Sequence, residues 1–173
     1  MMTRIGRFNF YLLAVWATAL LAAGCDTFSK KGKYEESSLR LHLEVNAAGG
    51  TQGTNVLIGR TSPFSLSVDR QPFLSEFHME SAKVVDLLGG FSIAIQFNPE
   101  GTILLEQYTT EYRGRHAAVL AEFGVMRWIA APVMQNRITS GQFLFTPDTT
   151  REEAERIVRG LNRVAELVRE GRK

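Results

Sequence analysis

The stretch VMRWIAAPVMQNRITSGQFLFTPDTTREEA, residues 125–154, decides the fold of this chain. Its first apolar run is stopped by Pro132, which has no N–H to donate within a sheet. A polar turn and the bend Ser140-Gly141 lead into the short alternating run 142–146, and Asp148-Thr149-Thr150 then precedes two glutamates. These signals predict, in order, a strand, a bend, an edge strand and a helix that begins with a capping box.

The composition indicates a folded protein with no preference for polyanions. The 173 residues are 45% hydrophobic and 22% charged, as in ordinary globular proteins. Two of the 20 basic residues, Arg4 and Arg7, lie in a segment that we expect to be removed, which leaves 18 basic against 18 acidic residues. Because nucleic-acid binding requires a basic surface, this balance predicts no nucleic-acid partner.

Residues 1–24 have the pattern of an export signal. Arg4 and Arg7 precede an apolar run from Phe8 to Ala23, which is shorter than the about 20 residues that a membrane-spanning helix needs. The run ends in LLAAGC, where small residues precede Cys25, the only cysteine of the chain. A single cysteine forms no internal disulfide, so we expect the fold to rest on its core.

The LLAAGC string resembles the cleavage site of a bacterial lipoprotein signal peptide, whose cysteine is lipidated and becomes the mature N-terminus. The resemblance implies that Cys25 carries a lipid that anchors the protein to the cell membrane, on its extracytoplasmic side. Asp26 resembles the residue that keeps such lipoproteins on the inner membrane. The alternative is an uncleaved N-terminal anchor, and both interpretations place the remaining chain in the periplasm or cell envelope.

The chain after Cys25 divides into a tether and a domain. Residues 25–38 are mostly polar and charged, which predicts a flexible tether, and residues 39–173 form the predicted domain. The run Leu39–Val45 alternates strictly and predicts a strand with one buried face, which places His42 on the solvated face. The glycine-rich residues 46–55 predict a loop that lacks the Gly-Lys-Ser/Thr ending of a phosphate-binding loop.

Further signals complete a predicted α+β fold. Gly89-Gly90 predicts a hairpin turn between two strands. Asn98 and Pro99 predict the start of a helix over residues 99–113, and a second predicted helix spans residues 150–169. An apolar stripe on the second helix predicts core packing: Ala154, Ile157, Val158, Leu161, Ala165 and Val168. The expected architecture has two layers, a mostly antiparallel sheet and two main helices packed on it.

No group of residues in the sequence indicates catalysis, a cofactor or a metal. The histidines His42, His78 and His116 lie far apart and lack the i, i+4 spacing of a metal-binding helix. A Gly-x-Ser-x-Gly motif is absent, and the cysteine is assigned to lipidation. We therefore predict that the protein is not an enzyme. A hydrolase would require these histidines to converge with aspartates, which besides Asp26 are Asp69, Asp86 and Asp148.

Four stretches resemble, in the same order, the head subdomain of the first periplasmic domain of SecD, a component of SecDF in the Sec translocase. They are SVDRQPFLS (67–75) with SAKV (81–84), FSIAIQFNPEG (91–101), GRHAAVL (114–120), and the run from IAAPVM (129–134) through ITSG (138–141) to TREEA (150–154). Two turns differ from the family pattern: Glu122-Phe123-Gly124 replaces Asp-Gly, and Ser140-Gly141 replaces Gly-Gly.

The resemblance implies a non-enzymatic binding module in protein transport. Its partners would be exported or unfolded polypeptide, or components of the Sec translocase. Transmembrane helices do not follow the domain in this sequence, so we expect that the chain cannot use a proton gradient by itself. The alternative is a structural envelope lipoprotein that keeps the fold without a role in translocation.

Overall fold

The computed structural model describes residues 36–46, 53–60 and 62–171. The predicted signal peptide, Cys25, Asp26 and nearly all of the tether lie outside these residues, as do residues 47–52 of the glycine-rich segment. The described residues form the strands β1 (Ser38–Glu44), β2 (Gly53–Ile58), β3 (Phe64–Ser75), β4 (Met79–Leu87), β5 (Gly90–Phe97), β6 (Ala117–Glu122), β7 (Met126–Ala130) and β8 (Gln142–Phe145). The helices are α1 (Pro99–Glu111) and α2 (Arg151–Arg169), and the 3₁₀ turn Glu76–His78 joins β3 to β4.

Local signals set the ends of these elements. Gly89 has a φ of 88°, a left-handed conformation that glycine adopts without strain, and it turns β4 into β5. The Asn98 side chain accepts a hydrogen bond from the Gly101 N–H (2.8 Å), which caps α1. Thr150 and Glu153 form the predicted capping box of α2, each side chain bonding the other's backbone N–H.

The strands belong to two antiparallel sheets. One sheet has the order β2-β3-β1-β6-β7, and the other has the order β4-β5-β8. The α+β class, the antiparallel strands and the two helices were predicted correctly. The division into two sheets was not predicted. Residues 53–55, predicted as loop, instead begin β2 and pair with β3.

The five-stranded sheet is rolled. The ladder between β1 and β3 has two register shifts, one on each side of His42. Such bulges bend a sheet and increase its twist. Consequently the edge strands β2 and β7 approach and contact each other. Arg60, just after β2, binds Asp148 through its backbone N–H (2.6 Å) and Glu153 through its side chain (2.6 Å), which ties the rolled sheet to the start of α2.

The main core lies between the two sheets and the helices. Helix α2 packs on β4 and β1, and α1 packs on β3 and β5. The inward side chains of β1 are completely or nearly buried, as is Ile129 of the predicted strand in residues 125–154. The predicted stripe of α2 faces this core, with Ala154, Ile157, Leu161 and Ala165 buried and Val158 and Val168 partly exposed.

Candidate functional site

The structure places His42 beside Asp69 but does not bring the three histidines together. His78 bonds Ser75 (3.2 Å), and His116 bonds Glu44 (2.7 Å). Asp86 pairs with Arg151 at 2.5 Å on the surface. Within the described ranges, no group of three or more His, Cys, Asp or Glu side chains could hold a metal. Cys25, the predicted lipidation residue, lies outside those ranges.

His42 was predicted to be solvated, and this was wrong. Its exposed fraction is 6%, because the rolled sheet turns the outer face of β1 into the interior of a second, smaller core. That core contains Ile58, Leu66, Val68 and Ala118, with Val56, Trp128 and Ala131 packed against it. Alternation along the strand correctly identified the face on which His42 lies, but it carries no information on whether that face meets water.

The environment of His42 fixes which nitrogen carries its proton. Its Nδ1 lies 2.8 Å from the backbone carbonyl oxygen of Asp69, and a carbonyl can only accept a hydrogen bond. Nδ1 is therefore the donor, and Nε2 presents a lone pair in the neutral ring. Nε2 is buried, and no group in the described residues forms a hydrogen bond with it. Burial lowers the pKa of His42 below its ordinary value of 6.5, assisted by the nearby charge of Arg40.

A pocket of about 400 Å³ opens beside His42 in the rolled sheet. The ring of Trp128 meets the His42 ring edge to face, with centroids 5.0 Å apart and planes at 71°. Arg40, His42, Arg70, Pro72, Leu120 and Trp128 line the pocket, together with Thr54 and Asp69. Trp128 also packs against the small core.

The edges of the two sheets differ in whether they are closed. In the rolled sheet, the edge strands β2 and β7 face each other. In the three-stranded sheet, the side-chain amide of Asn162 on α2 covers the edge of β4. It accepts a hydrogen bond from the Ala82 N–H (2.7 Å) and donates one to the Ala82 carbonyl (2.9 Å). Such a cover prevents another strand from pairing at Ala82.

Within the described part of the chain, no strand pairs with β8 on the side away from β5, so its edge is open at Leu144. The Phe97 N–H donates to the Gly141 carbonyl (2.9 Å), which sets the alternation of the β5–β8 ladder. The backbone N–H and C=O of Leu144 consequently point away from β5. The exposed fraction of Leu144 is 49%, whereas Phe143 and Phe145 are buried, with an exposed fraction of 3% each. The segment Gln142–Phe145 carries no charged residue, so nothing in it repels an added strand.

These features define an α+β domain of two antiparallel sheets, one rolled around a pocket and one with an open edge. The family model described as "SecDF, P1 head subdomain" matches residues 54–165. The chain therefore belongs to the SecDF P1 head family. The family predicted from the four sequence stretches is confirmed.

One solved structure supports the same fold. A structure of a membrane component SecDF that enhances protein export matches with a TM-score of 0.54 and 22% identity, over 86% of this chain and 68% of that chain. SecDF in a super-membrane-facing form matches with a TM-score of 0.48 and 17% sequence identity, over 89% of this chain and 33% of that chain. SecDF from Thermus thermophilus, a translocon-associated membrane protein, matches with a TM-score of 0.42 and 17% sequence identity, over 91% of this chain and 34% of that chain. A comparison with curated proteins gave no match.

Neither of the two described helices combines the length and the apolar character needed to cross a bilayer.

Proposed function

We propose that this protein is a lipid-anchored, extracytoplasmic domain that assists protein export by contacting polypeptide as it emerges from the membrane. Membership of the SecDF P1 head family is the observation that carries this proposal. One relative of known structure is a membrane component that enhances protein export. The domain acts as a binding module and not as an enzyme.

The open edge of β8 is the surface that we assign to this contact. An extended chain added to a sheet edge is held mainly by backbone hydrogen bonds, which every sequence can form. The exposed Leu144 side chain offers an apolar contact beside them. Because β8 spans only Gln142–Phe145, few such bonds can form, and binding is weak. Weak and sequence-independent binding suits an exported polypeptide, which must be released again.

Site-specific photo-crosslinking tests this contact. A photoreactive amino acid at Leu144 is expected to capture an arrested exported polypeptide in intact cells. The matched control is Leu57, an exposed leucine (67%) on the other sheet, which is expected to capture little. Equal capture at both positions, or none at Leu144, contradicts the assignment of β8. Capture of neither export machinery nor exported chains from any surface position contradicts the role in export and favours a structural envelope lipoprotein.

Lipidation of Cys25 is the second part of the proposal. The small residues of LLAAGC and the thiol of Cys25 support it. Mass spectrometry of the mature N-terminus is expected to find Cys25 as the first residue with an attached diacylglycerol. A Cys25→Ser variant is expected to keep its signal peptide. Recovery of Met1, or of unmodified Cys25, in the membrane fraction of the wild type contradicts lipidation and leaves the uncleaved anchor.

A further inference from the structure

We propose that the pocket in the rolled sheet binds a small amphipathic organic anion, which pairs with Arg40 and Arg70 and donates a hydrogen bond to Nε2 of His42. This site is separate from the proposed polypeptide surface, since the pocket belongs to the five-stranded sheet and β8 to the other. The proposal does not depend on the role in export.

The charge of the pocket favours an anion. Arg40 and Arg70 line it, and neither forms an ion pair with a carboxylate in the described part of the chain. The third charged residue of the lining is Asp69, and its carboxylate accepts a hydrogen bond from the Gln71 N–H (2.9 Å). Two guanidinium groups against one hydrogen-bonded carboxylate leave a net positive charge. Guanidinium groups bind carboxylates with paired, charge-assisted hydrogen bonds.

The walls of the pocket favour a flat apolar body. Trp128, Leu120 and Pro72 present aromatic and aliphatic surface, and Thr54 adds a hydroxyl. The volume of about 400 Å³ lies in the range of small-molecule sites, which are mostly apolar with a few placed polar groups. The ligand class is therefore an aromatic or similarly flat carboxylate.

His42 adds the requirement for a donor. Because Nδ1 uses its proton on the Asp69 carbonyl, Nε2 is left as an acceptor, and the described protein residues supply no N–H or O–H to it. A buried acceptor without a partner is unfavourable, so a ligand that supplies the donor gains affinity. Nε2 is shielded from solvent, so a ligand reaches it only if a neighbouring side chain turns aside. Trp128 is the ring in contact with His42, and its surroundings are expected to change on binding.

Indole-3-acetate is a suitable probe because it combines a carboxylate, a flat apolar body and an N–H donor. Isothermal titration calorimetry of the full chain is expected to give a dissociation constant on the order of 0.1 mM. Two related probes separate the requirements. 1-Naphthylacetate keeps the charge and shape but lacks the N–H, and tryptamine keeps the indole but is a cation. Each is expected to bind about 10-fold more weakly.

Variants assign each requirement to its residue. Asn can still donate to the Asp69 carbonyl, so His42→Asn is expected to bind indole-3-acetate no better than 1-naphthylacetate, yet still to reject tryptamine. Arg70→Gln is expected to narrow the difference in affinity between indole-3-acetate and tryptamine. It is expected to keep the higher affinity for indole-3-acetate than for 1-naphthylacetate. The controls are His116→Asn, at a histidine that precedes β6 and does not line the pocket, and Arg113→Gln, which makes the same change in net charge as Arg70→Gln. Both are expected to bind as the wild type does.

Three results would overturn the proposal. The first is wild-type protein that binds all three probes alike or none of them, a result that needs no variant to fold. The second is His42→Asn that keeps the full preference for indole-3-acetate over 1-naphthylacetate. The third is Arg113→Gln that weakens binding as much as Arg70→Gln, which would assign the effect to net charge. None of these results bears on crosslinking at Leu144, so the two proposals can fail separately.

Discussion

The two sheets differ in how their edge strands are arranged. In the five-stranded sheet, bulges beside His42 roll the strands until β2 and β7 meet, and the former outer face becomes a small core with a pocket. The three-stranded sheet stays open, with one edge covered by Asn162 and the other, at β8, left free. Rolling a sheet creates an interior that can hold a small molecule, whereas an open edge offers backbone groups to a chain. One domain thereby presents two different kinds of surface.

The placement of β8 depends most strongly on Gly141. Its φ is 70°, and a Cβ at this position would overlap the side chain of Thr102 on α1. We expect Gly141→Ala to lower the free energy of unfolding by about 3 kcal/mol, from backbone strain and overpacking together. Urea denaturation measures the change.

Gly124 supplies the control for that substitution. Its φ is 93°, but no atom lies within 4 Å of the position of an added Cβ. Gly124→Ala should therefore cost only the strain of the left-handed conformation, about 1–2 kcal/mol. Equal losses in the two variants would show that the contact with Thr102 does not fix β8.

The covered edge of β4 is the next most sensitive feature. Asn162→Ala removes both hydrogen bonds to Ala82, and we expect a loss of about 2 kcal/mol in the free energy of unfolding. The variant should also self-associate more readily, because it exposes a second free edge. Analytical ultracentrifugation measures the association, with Asn136→Ala as an exposed control. A variant that loses stability but stays as monodisperse as the control would argue against the role of Asn162 in protecting the edge.

Acid is expected to lower the free energy of unfolding through the protonation of His42. The pKa of His42 in the folded protein lies below its ordinary value of 6.5, so at lower pH the unfolded chain takes up a proton that the folded one resists. The contribution of neutral His42 to the free energy of unfolding is complete above pH 6.5 and decreases as the pH falls toward the pKa of His42 in the folded protein. Chemical denaturation between pH 7 and pH 5.5 is expected to show a decline in the wild type that His42→Asn lessens. A decline of the same size in His42→Asn would assign it to other groups.

The smallest expected change in stability is at the open edge. Leu144 is half exposed, so Leu144→Glu should change the free energy of unfolding by no more than about 0.5 kcal/mol. The added charge should nevertheless hinder pairing with another strand. We expect weaker capture of exported polypeptide from a photoreactive residue at the neighbouring Gln142. Undiminished capture would separate the polypeptide contact from the β8 edge.

The local parts of this fold could be predicted from the sequence because their causes are local. Thr150 caps α2 through a residue three positions away, and Gly89 turns a hairpin between strands that follow one another. The strand, bend, edge strand and helix of residues 125–154 were predicted for the same reason. The family was also recognisable, since its motifs lie in separate short stretches whose order survives low identity.

The roles of His42 and Asn162 could not be predicted in this way. His42 alternates like a solvated residue, but in the rolled sheet it is buried against Trp128 of β7 and the Asp69 carbonyl of β3. Asn162 looks like a polar residue on a helix, and its partner Ala82 is 80 residues away. The nearest available sequence signals were the polar interruption in the α2 stripe and the aromatic Trp128, and neither identifies a partner.

The sequence by itself determined the family, the α+β class and the ends of most elements, because these depend on side-chain periodicity and on caps and turns within a few residues. The tertiary structure alone decided which sheet closes, which edge stays open and where a pocket forms. Those outcomes depend on the curvature of β3 against β1 and on contacts between residues far apart in the chain. Both proposed binding surfaces belong to this second group.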